Sequence, residues 1–173
     1  MQRKPEQPEL AETVANMTRW ATSSPPVRVE PHTGPRDELR ALFAEAEDSA
    51  QQLDAYLEAG DVLVARDGDG VVGHLQLVDG EIKNMAVDPA HRGRGIGRAL
   101  IEAAVARARA ERRRTLVVAT AAADVGNLRF YQRAGFRLRS VERDAFSPAT
   151  GYAPDTLIDG VELRDRVWLD RDL

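Results

Sequence analysis

The stretch from Ile82 to Leu100, IKNMAVDPAHRGRGIGRAL, constrains this chain more than any other. It reads as a strand, a short loop and a glycine-rich turn that opens a helix. Gly93, Gly95 and Gly97 alternate with Arg94 and Ile96. Glycine lacks Cβ, so a ligand can come close to the backbone. A helix that starts at such a turn directs unpaired N–H groups outward, and its dipole favours an anion. Arg92, Arg94 and Arg98 add positive charge around the same turn. These features predict a phosphate or pyrophosphate held mainly by backbone. A P-loop requires Lys-Ser/Thr after its last glycine, but Arg98-Ala99 follows Gly97 here. The dinucleotide fingerprint is GxGxxG with an acid about 20 residues later. This chain has GxGxG, so that spacing fails as well.

The full string resembles a different signature. Arg92-Gly93-Arg94-Gly95-Ile96-Gly97 is similar to the Arg/Gln-x-x-Gly-x-Gly/Ala motif of the GNAT superfamily of N-acetyltransferases, and Val87-Asp88-Pro89 stands ahead of it as a Val-x-Pro does in that family. The resemblance implies that Arg92, Gly93, Arg94, Gly95, Ile96, Gly97 and Arg98 bind the pyrophosphate of acetyl-CoA. A second segment agrees. Residues 124–137 read DVGNLRFYQRAGFR, with Asn127 and Tyr131 on one helix face and Gly135 closing the helix. It resembles the family's Asn-x-x-x-x-Tyr-x-x-x-Gly-Phe segment, with one residue fewer between Asn and Tyr. The resemblance implies that Asn127 bonds the pantetheine arm and that Tyr131 protonates the departing thiolate. The family's strand ahead of the turn carries a bulge whose backbone holds the pantetheine amides; here that implies Met85, Ala86 and Val87.

Bulk properties narrow the setting. The chain has 173 residues, a net charge of −4, three histidines and no cysteine. The absence of cysteine excludes a disulfide framework, a cysteine metal site and a cysteine nucleophile, so acyl transfer would be direct. With so few histidines no metal centre is expected. No apolar run reaches 18 residues and no secretory leader is visible, which predicts a cytoplasmic protein with no membrane partner. The acidic balance argues against nucleic acid. The basic run Arg107–Arg114 is read as the solvated end of a helix, where cations suit the dipole.

Residues 1–26 carry Pro5, Pro8, Pro25 and Pro26 and read as a flexible leader, with a short helix over Thr13–Trp20. Residues 27–173 read as one acetyltransferase domain. The pattern predicts a strand at Val27–Glu30 and helices at Asp37–Ala46 and Ser49–Ala59. Strands follow at Asp61–Arg66, Val71–Val78 and Glu81–Val87, the last two joined by an Asp79-Gly80 hairpin. A long helix from Ile96 to Arg113, a strand at Leu116–Ala119, the Asn127 helix and a strand at Phe136–Arg143 come next. Residues 144–160 read as a loop, and Val161–Leu169 as the last strand. The order predicts an α/β fold, a GNAT-like mixed and mainly antiparallel sheet of about six to seven strands with helices on both faces.

A two-residue hairpin pairs Val78 with Glu81, Gln76 with Lys83 and His74 with Met85. His74, Gln76, Glu81 and Lys83 then share a polar face, and Asn84 falls on the apolar one. Glu81 resembles the general-base glutamate of some family branches; His74 and a water relay are the alternatives. Substrate selection falls, by family analogy, to the first two helices and residues 144–160. Their Glu45, Glu47, Asp48, Asp54, Glu58, Asp144, Asp155 and Asp159 suggest an acidic wall for a cationic amine of a small molecule or peptide. Residues 159–169, after Tyr152, resemble small bacterial acetyltransferases. The rival reading is a non-catalytic acyl-CoA sensor. A homodimer through the last strands is also expected from the fold.

Overall fold

The computed structural model describes residues 27–173; the leader and the helix expected at Thr13–Trp20 lie outside them. The elements are β1 (Arg28–Pro31), a 3₁₀ turn (Arg36–Leu39), α1 (Arg40–Ala44), α2 (Ala50–Tyr56), β2 (Asp61–Asp67), β3 (Gly70–Val78), β4 (Glu81–Val87), a 3₁₀ turn (Pro89–His91), α3 (Ile96–Ala110), β5 (Thr115–Ala121), α4 (Val125–Arg133), β6 (Arg137–Glu142), a 3₁₀ turn (Pro148–Thr150), β7 (Leu157–Ile158), β8 (Val161–Glu162) and β9 (Arg166–Asp172). Seven strands form one sheet in the order β1-β2-β3-β4-β5-β9-β6, and β7 pairs with β8 in a separate ribbon. The expected last strand is therefore two elements. Val161–Glu162 turns back on Leu157–Ile158, and the sheet strand starts at Arg166.

Alternation along β2 explains the layers. Leu63 and Ala65 join one core with Leu75, Ile82, Leu100, Ile101, Leu116 and Leu169, under α3. Val62 and Val64 point the other way and meet Leu39, Phe43, Leu53 and Leu57 of the first two helices. Helices thus cover both faces of the sheet. α3 supplies Ile96, Leu100, Ile101, Ala104, Val105 and Ala108, an i, i+4 stripe that is buried while its arginines stay outside. Arg107 of that basic run pairs with Asp61 at 2.6 Å and with Glu111 at 2.7 Å.

The Asp79-Gly80 turn is formed as expected. Both residues have positive φ, 49° and 87°, the backbone that a tight hairpin requires. Val78 pairs with Glu81 and Leu77 with Ile82, and then the register slips. Gln76 lies opposite Asn84, Leu75 opposite Met85 and His74 opposite Ala86. Lys83 is the extra residue of a β-bulge. The sequence-based pairing of Gln76 with Lys83 and of His74 with Met85 is corrected accordingly. A one-residue shift exchanges faces, so Asn84 joins His74 and Gln76 instead of the apolar side.

Candidate functional site

β4 and β5 run parallel, and their ladder is short. It holds Glu81 opposite Val117 and Ile82 opposite Val118, and ends there. The bulge at Lys83 follows at once and bends β4 away from its neighbour. A cleft of about 790 Å³ opens where the strands part. Met85, Ala86 and Val87 line it from β4, and Val118 to Ala121 from β5. β4 is paired on its other edge with β3, and β5 with β9. Their unpaired edges face each other across the cleft.

The glycine turn forms one end. Gly93 and Gly95 adopt φ of 76° and 81°, a left-handed backbone that side chains with a Cβ disfavour. A Cβ on either would meet nothing within 4 Å. The conformation therefore requires glycine there, and the space beside the turn is open. Gly95 caps α3 without any side-chain hydrogen bond. The first intrahelical bond runs from Ala99 N to Gly95 O, at 3.0 Å, so the amides of Ile96, Gly97 and Arg98 lack intrahelical partners. Gly97 is needed for another reason. A Cβ there would lie 3.2 Å from the Phe130 ring. Arg92 donates to Val87 O at 3.1 Å and meets Glu45 at 3.0 Å. Arg92 and Arg98 line the cleft. Arg94 does not; its guanidinium turns to Asp67 at 2.9 Å. Open space, uncapped amides and two arginines fit a doubly anionic pyrophosphate.

α4 closes the opposite side. Asp124 caps it, accepting from Asn127 N at 2.8 Å and from Asn127 Nδ2 at 2.7 Å. Asn127 and Tyr131 both line the cleft, one helical turn apart. Tyr131 is 6% exposed and packs edge-on to Phe130 and Phe136, with ring centroids 5.2 Å and 5.7 Å away. Its hydroxyl makes no hydrogen bond to any described residue. Burial, with Asp124 nearby, raises its pKa above the usual phenol value, so it stays protonated and able to donate.

Glu81 lies at the cleft floor beside the last β4–β5 pair. Lys83 reaches it at 3.4 Å and also lies 5.4 Å from the Tyr56 ring centre. His74 is placed differently. It is fully buried, packed against the tilted Phe43 ring with centroids 4.1 Å apart, and does not line the cleft. Burial lowers its pKa to about 4. Its Nε2 donates to Asn84 Oδ1 at 2.8 Å, while Asn84 Nδ2 donates to Phe43 O at 3.1 Å and to Tyr56 Oη at 2.9 Å. Tyr56 in turn donates to Glu47 Oε2 at 3.2 Å. A one-way chain of hydrogen bonds thus leads from the buried histidine to a carboxylate on the cleft wall.

Of the eight acids proposed for an acceptor wall, Glu45, Glu47 and Asp48 line the cleft. Asp54 pairs with Arg40 and Asp144 with Arg164, both away from it. Glu58, Asp155 and Asp159 are absent from the lining as well. Sequence reasoning missed Tyr56 and gave Tyr152 no role. Gln52 and Tyr56 stand four apart on α2 and both line the cleft; that i, i+4 polar pair is the signal that could have found Tyr56. Tyr152 lies in the irregular 144–160 segment, where no periodicity exists to read.

This fold and cleft define an acyl-CoA-dependent transferase, and the chain belongs to the GNAT family. The family's model, an acetyltransferase (GNAT) domain, matches residues 58–138. The protein named Uncharacterized N-acetyltransferase YvbK from Bacillus subtilis (strain 168) is 31% identical over 152 residues, covering 85% of this chain and 97% of that one. A Bacillus subtilis acetyltransferase crystallised in complex with CoA has a TM-score of 0.77 at 31% identity, covering 85% of this chain and 99% of the other. An IAA acetyltransferase from Bacillus cereus matches with a TM-score of 0.76 and 31% identity over the same shares of the two chains. The protein is an enzyme, an acetyl-CoA-dependent N-acetyltransferase. Among the described residues no cluster of three or more His, Cys, Asp or Glu could hold a metal ion, and no helix is long and apolar enough to cross a membrane.

Proposed function

We propose that this enzyme moves an acetyl group from acetyl-CoA directly to a primary amine of a small molecule or peptide, within a ternary complex. Acetyl-CoA supplies the acetyl group and the sulfur that leaves. The amine nitrogen forms a bond to the carbonyl carbon as the carbon–sulfur bond breaks. One proton leaves the nitrogen for a base, and one reaches the sulfur from an acid.

The observation that carries this reading is the unpartnered hydroxyl of the largely buried Tyr131, in a cleft that begins at an uncapped helix N-terminus. Tyr131 is the general acid: a protonated phenol with no competing acceptor can donate to a thiolate. The amides of Ile96, Gly97 and Arg98 bind the pyrophosphate, with Gly93 and Gly95 giving the approach and Arg92 and Arg98 the charge. Arg94 contributes its backbone, since Asp67 takes its side chain. Asn127 holds the pantetheine arm, as do the open backbone edges of Met85, Ala86 and Val87. Glu81 serves as the base, directly or through water; it lines the cleft and His74 does not. The rival sensor reading leaves the Tyr131 hydroxyl without a task.

Residues 1–26 act as a leader to a single catalytic domain, and the protein works in the cytoplasm. A homodimer through the β6 edge is consistent with Leu138 and Val141, 60% and 61% exposed there.

The test is thiol release from acetyl-CoA by the purified protein across a panel of amines, with product mass confirming N-acetylation. Amine-dependent release is expected. Acetyl-CoA binding by calorimetry without release for any amine would overturn transfer in favour of sensing.

A further inference from the structure

Glu47, in the loop between α1 and α2, is held by three separate donors. Its Oε1 accepts from Tyr152 Oη at 3.0 Å and from Ser49 N at 3.0 Å. Its Oε2 accepts from Tyr56 Oη at 3.2 Å. An ionised carboxylate offers about four acceptor positions. Three are filled, and the fourth belongs to an oxygen on the cleft wall.

All three donors are neutral. Burial first, and then Glu47 itself, raises the pKa of both tyrosines, so each keeps its proton. Glu45 and Glu81 in the same cleft each have a cation, Arg92 and Lys83. Of the other lining acids, Asp48 and Asp124 have none among the described residues, but only Glu47 is both half-buried and held by two tyrosines. No cation lies within ion-pair distance of Glu47 among the described residues. Neutral donors relieve part of a carboxylate's desolvation and leave its charge unpaired. The missing counter-ion is what a protonated amine would bring.

The carboxylate is also fixed in place. Tyr56 ties it to α2, and Asn84 ties Tyr56 to the strand beyond the bulge. Tyr152 ties it to the 144–160 segment, 105 residues away in sequence. A site held by three elements loses little freedom when it binds.

The surface next to this carboxylate is apolar and aromatic. Tyr152 packs with Leu163, Phe146 and Ile158. The Phe146 ring meets Tyr152 edge-on at 4.9 Å, and Trp168 lines the cleft beyond it. Arg166 lies 5.0 Å above Phe146, but Glu142 meets it at 3.3 Å. Asp48 is exposed on the same wall.

We propose that Glu47 receives the ammonium of the acceptor while Phe146, Tyr152, Ile158, Leu163 and Trp168 take its body, so that the acceptor is a primary amine on an aromatic or branched apolar frame. The inference rests on the transferase reading above and narrows its acceptor. Glu47 is a specificity-determining residue here, and proton removal stays with Glu81. A polyamine or aminoglycoside spreads several cations along its length, which this wall does not match.

The test compares kcat/KM for 2-phenylethylamine, tryptamine and isoamylamine with that for spermidine and kanamycin, using the full chain and acetyl-CoA. The apolar amines are expected to lead by about tenfold or more, since one charged hydrogen bond and a buried body separate the classes. Glu47→Gln should lower their kcat/KM by about tenfold or more, mainly through KM, because it removes a charge-assisted bond. Calorimetric affinity for acetyl-CoA should stay unchanged in that variant. Tyr152→Phe keeps the aromatic wall and releases one tether, so a smaller rise in KM is expected and the test does not depend on one variant folding. If spermidine or kanamycin leads, or if Glu47→Gln leaves the apolar amines unaffected, the inference falls while amine transfer stands. Thiol release with no amine at all overturns both.

Discussion

Lowering the pH from 7 to 5 should destabilise this protein through one buried ring. His74 is fully buried, and its pKa is lowered from 6.5 to about 4. The cause is burial, offset in part by the bond to Asn84. Above pH 6.5 the ring is neutral in both folded and unfolded chains, and its protonation does not bias folding. As pH falls through 6.5 the unfolded chain takes up a proton that the folded chain refuses, so stability drops. The drop ends near pH 4, where the folded ring protonates too. At pH 5 the loss from this residue amounts to about 2 kcal/mol. Urea unfolding of wild type and His74→Gln at pH 7 and pH 5 measures it. Glutamine keeps a donor for Asn84 and has nothing to titrate there. Asp88, bonded by the His91 ring and then the Ala90 amide, and Glu111, bonded by Arg107 and Arg113, also have lowered pKa values, and both proteins share them. The variant should therefore lose about 2 kcal/mol less than wild type across that interval. Equal pH dependence in the two proteins would refute the reasoning. Protonation at Nδ1 leaves the Nε2 donor on Asn84, so the chain to Glu47 survives and acceptor KM should not follow this titration.

Three further outcomes are expected. Tyr131→Phe should cut turnover by about tenfold or more, with acetyl-CoA affinity and melting temperature nearly unchanged because the hydroxyl has no partner to lose; unchanged turnover would remove Tyr131 from its role. Gly95→Val should abolish acetyl-CoA binding in calorimetry, since a β-branched residue at φ of 81° strains the turn by about 1–2 kcal/mol and fills the open approach; normal affinity would sink the turn assignment. Glu81→Gln should lower kcat/KM for the acceptor by about tenfold or more without altering acetyl-CoA affinity, and an unchanged kcat/KM would pass the proton to water alone.

Much of the fold was legible because its signals are local. The Asp79-Gly80 hairpin, the stripe on α3 and the alternation in β2 each depend on residues close in sequence. The glycine turn and the Asn127–Tyr131 pair could be read the same way, since backbone conformation and helical spacing are written in neighbouring residues. The bulge at Lys83 could not be placed from the hairpin alone. Its position depends on how β4 meets β3 on one side and leaves β5 on the other, and it moves Asn84 to the face of His74 and Gln76. The first helix lays Phe43 on that face, so His74, a candidate base in the sequence, is a buried anchor to which the slip brings Asn84. Arg94, counted with the phosphate turn by its position, is drawn to Asp67 across the β2–β3 turn. Glu47 was one acid among eight in the sequence. Only the tertiary structure gave it Tyr56 and Tyr152 as donors and no cation, because those partners converge from a helix and a distant loop. Sequence alone determined the class of cofactor, because the glycine turn and the Asn127–Tyr131 spacing that signal it are local. Folding decided which carboxylate on the cleft wall is held by two tyrosines, because those partners lie on segments about a hundred residues apart.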